Sequence, residues 1–109
     1  MKITKGSYKI ITQHGWVTKE GTVGYNYPFY VFREEGNKGT KDWCLSHMAS
    51  GYSIRKHISL KHAKQLIEAL KPFALFLLPD AQSIANEQKR MTSHKRTLIN
   101  STVNQKERP

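Results

Sequence analysis

One cysteine, four prolines and only eight acidic residues stand in this 109-residue chain. A single thiol, Cys44, excludes an intrachain disulfide. Its strand-like apolar surroundings make it read as a small buried hydrophobe, in keeping with a reducing, intracellular setting. No Gly-rich phosphate loop, H-E-x-x-H or nucleophile elbow occurs. No catalytic residue is assigned on that basis, an enzyme is not the favoured reading, and no cofactor is expected. The spacing Cys44, His47, His57, His62 superficially resembles a zinc ligand set. Residues three apart in a strand point to opposite faces, so no metal is expected there. The longest apolar run, "PFALFLLP" at 72–79, is far too short to span a bilayer and reads as core. The amino-terminal "MKITKGSYKIITQHGW" lacks the apolar stretch of a signal peptide. A soluble protein of a bacterial or infected-host cytoplasm is expected, with no membrane partner.

What the chain has is positive charge: 18 Lys plus Arg give a formal net charge of +10, which demands an acidic partner. Nucleic acid, DNA or RNA, is the first expectation, and an acidic protein surface is the alternative. The hydrophobic fraction of 38% supports one modest core.

The pattern along the chain predicts an α+β fold: a small antiparallel sheet of about four strands packed by one main helix. A second short helix and a flexible basic C-terminal tail complete it. Residues 1–26 read as short strands, Tyr8 to Thr12 and Trp16 to Thr18, with Gly15, Gly21 and Gly24 as turn or bulge positions. "YPFYVFREE", "DWCLSHM" and "YSIRKHI" follow as three antiparallel strands, the first apolar on both faces and therefore central. Ser59 is placed to cap a helix in which Leu60, Ala63, Ile67, Leu70 and Ala74 recur at helical spacing. Pro72 ends or kinks it near Lys71. Asp80 is an N-cap for the short helix. The organisation expected is a core over 1–79, the short helix over 80–91 and a polar tail over 92–109.

The candidate binding residues follow from that arrangement. If the main helix covers the face bearing Tyr52, Ile54 and Ile58, the free face of the last strand carries Arg55 and His57, with Lys56 beside them. Tyr30 or Phe32 of neighbouring strands would add rings to that face, and rings beside cations suit bases and phosphates. Lys61 and Lys64 lie on the wet face of the adjacent helix. From Lys89 to Pro109 there are six basic residues and one acid, with Lys89, Arg90, Lys95 and Arg96 forming two pairs. An arm of that kind clings to phosphate backbones.

Strands followed by one packing helix in a basic chain resemble two small modules. One is the sheet-plus-helix domain at the amino terminus of some phage and transposon integrases, itself similar to the plant ethylene-response DNA-binding domain. The other is the single-stranded-DNA-binding transcriptional coactivator group; "RKHISLKHAKQLIEAL" is similar to its strand-to-helix junction. Both resemblances imply nucleic-acid binding over about residues 27–71, and neither assigns a residue. A basic accessory protein of phage or plasmid type is the function expected. The first alternative is a protein-binding inhibitor that grips an acidic host surface. The second is a small nuclease using His47 and His57 as acid and base with Arg55 or Lys56 on the phosphate. Open sheet edges also leave room for a homodimer.

Overall fold

A computed structural model describes residues 1–109. Its five strands are β1 (Ile3–Thr12), β2 (Gly15–Asn26), β3 (Phe29–Glu34), β4 (Trp43–His47) and β5 (Ser53–Ile58). They form one antiparallel sheet in sequence order, with β1 and β5 as its edges. Three helices follow, α1 (Leu60–Leu70), α2 (Ala81–Arg90) and α3 (Ser93–Val103), with a single 3-10 turn at Ala74–Leu77 between the first two. The α+β class and the antiparallel sheet backed by helices are as the sequence indicates. The strand count is five rather than about four, and the two amino-terminal strands, 10 and 12 residues long, run well beyond the short apolar runs Tyr8–Thr12 and Trp16–Thr18. Gly6, Gly21 and Gly24 lie inside strands, and only Gly15 sits at the β1–β2 turn, with positive φ.

The core lies between the sheet and the helices. Phe29, Val31, Trp43 and Leu45 project from β3 and β4 onto Ala63, Leu66, Ile67 and Leu70 of α1. Burying each large aliphatic chain of α1 contributes roughly 2 kcal/mol. Ser59 caps α1 by accepting from the His62 N–H, and Asp80 caps α2 by accepting from the Ser83 N–H. The apolar run after Pro72 supplies Leu75 and Phe76 to the same core. No helix is long and apolar enough to cross a membrane.

Residues 93–103, expected to belong to a flexible tail, are helical. Thr92 caps α3 by accepting from the Lys95 N–H, and Ile99 and Thr102 are buried. The stripe that docks α3 is narrow, so polar composition hides it. Residues 105–108 then run back along α1: Gln65 donates to the Arg108 carbonyl and accepts from the Arg108 N–H. The His62 ring shares a 2.8 Å bond with the Gln105 carbonyl, and Ser59 donates to Glu107.

The other sheet face is covered by the sheet itself. The Tyr30 hydroxyl donates to the Lys9 carbonyl at 2.6 Å. In a flat sheet Tyr30 lies opposite Tyr25, and the β1 ladder then continues to residue 2. Lys9 would stand seven residues further on, roughly 23 Å away. The outer half of the β1–β2 hairpin must therefore curl over β3 and β4. The ring stack of Tyr8 on Phe32, centroids 4.5 Å apart, fixes the curl. So does a second small core of Tyr8, Val23, Tyr30, Phe32 and Cys44, with Ile10 and Met48 against it. Gly21, which pairs with Gly6, is the last residue of β2 matched to β3 on the way to the hairpin tip, and a side chain there would strike the Arg33 carbonyl.

Candidate nucleic-acid interface

The curled hairpin changes which residues are available. Tyr30 and Phe32, expected on a free face, are buried beneath it. Its overhang leaves an open depression of about 570 Å³, lined by Tyr8, Lys9, Trp16, Thr18, Tyr25, Tyr30 and Met48 among others. Trp16 and Tyr25 are about half exposed there, at 49% and 51%. The Tyr25 ring lies over Tyr30 with centroids 6.0 Å apart. The Trp16 ring rests against Gly51, where a Cβ would come within 2.6 Å of it. Gly51 also holds φ +73°, so the β4–β5 turn needs glycine for both reasons.

Burial pushes the Tyr8 and Tyr30 phenols up to about 12, so both remain protonated donors at neutral pH. Tyr30 uses its proton on Lys9. The Tyr8 hydroxyl is buried and finds no partner in the protein. An unsatisfied buried hydroxyl is a desolvation cost without return. Tyr8→Phe is therefore expected to raise stability by up to about 1 kcal/mol, read as a higher denaturant midpoint at unchanged m-value. A loss of stability would show that the hydroxyl is bonded after all.

The predicted basic residues divide into three groups. Arg55 is not on a free face. Two register irregularities in the β4–β5 ladder set it opposite Leu45, on the helix side. Its guanidinium donates to the carbonyls of Val103 at 2.7 Å and Gln105 at 3.1 Å, closing the C-terminal end of α3. Its role is structural, and the bulges that put it there are invisible to simple alternation. Lys56 and His57 are exposed beside it, His57 with a left-handed φ of 57°. Lys61 and Lys64 stand on the outer face of α1, on a shallow surface with Arg108.

The third group is drawn together by the fold. α2 ends at Arg90 and α3 begins at Ser93, so Lys89, Arg90, Lys95 and Arg96 flank one helix junction. Arg96 crosses it, donating to the Gln88 carbonyl at 3.1 Å and the Lys89 carbonyl at 3.5 Å. All four are exposed, and only Arg90 has an acidic partner, Glu87 at 3.0 Å. Across the whole molecule only Lys19, Lys71 and Arg90 stand in ion pairs.

Cys44 and His47 point to opposite sides of the sheet. Cys44 Sγ lies 3.6 Å from the hydroxyls of Ser46 and Ser53, whereas the His47 ring meets the helical layer at Phe76. No group of three or more His, Cys, Asp or Glu side chains is placed to hold a metal ion. His47 is buried with both ring nitrogens bonded, and His57 lies towards the other end of the β4–β5 ladder. His47 and His57 are therefore not brought together as an acid–base pair.

The aromatic depression was missed by sequence reasoning. Its one available signal was "YKIITQHGW", where Thr12 and Gly15 bracket a two-residue turn, Thr12 donating its hydroxyl to the Gly15 carbonyl. Nothing in that signal says the hairpin folds over. Comparisons with family models, with curated proteins and with solved structures return no match for this chain.

Proposed function

We propose that the protein binds nucleic acid chiefly through phosphate contacts, with the α2–α3 corner as the main anchor. One observation carries the reading: four exposed cations on two helices flank one junction, and only Arg90 among them is paired with an acid. Uncompensated cations at such spacing exchange bound counterions of a polyanion for themselves, which is the main source of sequence-independent affinity. Lys61, Lys64 and Arg108 form a second, smaller patch on α1, and Lys56 and His57 lie just before that helix. The cations thus act as patches on the helical layer, where the sequence had suggested a sheet face, the adjacent helix and a flexible arm.

An acidic protein partner would be favoured by exposed rings lacking cations. Here Lys9 stands among the rings of the depression, which favours the nucleic-acid reading. The test is affinity against salt. Three to four phosphate contacts give a slope of log K against log[salt] of about −3, measured by fluorescence anisotropy of a labelled oligonucleotide. A flat slope, or no binding in low salt, removes the reading.

A further inference from the structure

We infer that the depression under the β1–β2 hairpin seats an unstacked nucleobase, so that the preferred ligand is a single strand rather than a duplex. The inference rests on the proposed nucleic-acid binding and specifies what that ligand must look like.

The indole of Trp16 stands half in water. The molecule's other tryptophan, Trp43, is buried under Arg33. Trp16 is instead carried to the tip of a curled hairpin and set edge-on against Gly51, with one side left open. Tyr25 faces the same depression, backed by the ring of Tyr30, so its exposed face is held firm. Tyr30 is itself anchored to β1 by its bond to Lys9. Two half-exposed rings on a rigid support form a stacking platform, and stacking accepts any base because every base has a π-face.

The polar lining agrees with that occupant. Lys9 supplies a cation and Thr18 a hydroxyl, while no acidic side chain lines the depression. Glu20 accepts from the lining hydroxyl of Ser7 at 2.6 Å, and Glu34 pairs with Lys19 at 3.9 Å. A net charge of +10 draws a polyanion to this surface as to the rest. A base inside a duplex has both faces covered by its neighbours, so only an unpaired base can stack on these rings.

The test uses the full chain with an unlabelled twelve-nucleotide oligo-dT and a hairpin duplex of equal charge. Trp43 is shielded by the core, so quenching of tryptophan emission reports Trp16. Oligo-dT is expected to quench the emission and the duplex to leave it unchanged. Trp16→Ala is expected to lower oligo-dT affinity about five- to a hundred-fold without altering the salt slope. Because Trp16 also packs on Gly51, Tyr25→Ala serves as the second variant and is expected to lower affinity in the same sense. Salt-dependent binding of oligo-dT without quenching, and with both variants at full affinity, overturns the base pocket and leaves the phosphate reading standing. Equal quenching by polyglutamate identifies the groove as a peptide site and overturns it too. Absence of salt-dependent binding by either nucleic acid removes the reading beneath it.

Discussion

Replacing Lys89, Arg90 and Lys95 together with glutamine is expected to lower nucleic-acid affinity about a hundred- to a thousand-fold near 0.1 M salt. It should also make the salt slope shallower by two to three units, roughly 0.7 to 0.9 for each phosphate no longer neutralised. Arg96 stays in the variant because it donates to the carbonyls at the end of α2, so its loss would mix affinity with folding. The three chosen side chains have no such duty. Lys89 and Lys95 make no side-chain bond within the protein, and the Arg90–Glu87 pair is exposed. An exposed pair of that kind contributes at most about 1 kcal/mol. The triple variant should therefore keep its helical circular dichroism and its denaturant midpoint. Lys56→Gln with Lys61→Gln, one on β5 and one on α1, should give a smaller change in slope. If the triple variant retains the original slope, phosphates do not sit at this corner.

The contrast between the corner and β5 shows how much of the site was legible in the sequence. Lys89, Arg90, Lys95 and Arg96 were legible as two pairs of like charge, and the turn between α2 and α3 brings them together. Arg55 was legible only as a member of an alternating strand. Its actual side depends on an extra residue at Ile54 and a left-handed His57, which shift the β5 register against β4. A one-residue shift exchanges the faces of a strand, so the guanidinium moves from solvent to the end of α3. Much the same holds for the fold. β3 and β4 follow from short apolar and aromatic runs between turn residues, and α1 from helical spacing and from Ser59, whose capping is local chemistry. α3 and the curl of the hairpin depend on partners distant in sequence: α3 on α1 and Arg55, the hairpin on Phe32 and Tyr30. Periodicity over a dozen residues carries no record of such partners.

His47→Ala is expected to cost about 3 kcal/mol of stability, the largest loss expected from any single polar side chain of the sheet. The ring shares a 2.6 Å bond with the Phe76 carbonyl through Nε2 and a 2.9 Å bond with the Ser50 hydroxyl through Nδ1. The carbonyl can only accept, so Nε2 carries the proton and Nδ1 accepts from Ser50. The ring also meets Phe29 and Phe76 edge-on. Truncation opens a cavity and strands a buried carbonyl at once. The same geometry sets a pH dependence. Burial holds the His47 pKa below the usual histidine value of 6.5, and the bond to Phe76 only partly opposes it. A histidine with a depressed folded pKa takes up its proton first in the unfolded chain. Its contribution to stability is therefore complete above about pH 6.5 and is lost as the pH falls through that value towards the folded pKa. Urea titrations from pH 8 to pH 5 should show a falling midpoint for the native protein. In His47→Gln, which keeps a hydrogen-bonding head but cannot titrate, that part of the fall should disappear. Identical pH profiles for the two proteins would show that the ring is not held neutral by its burial between β4 and the turn that carries Phe76.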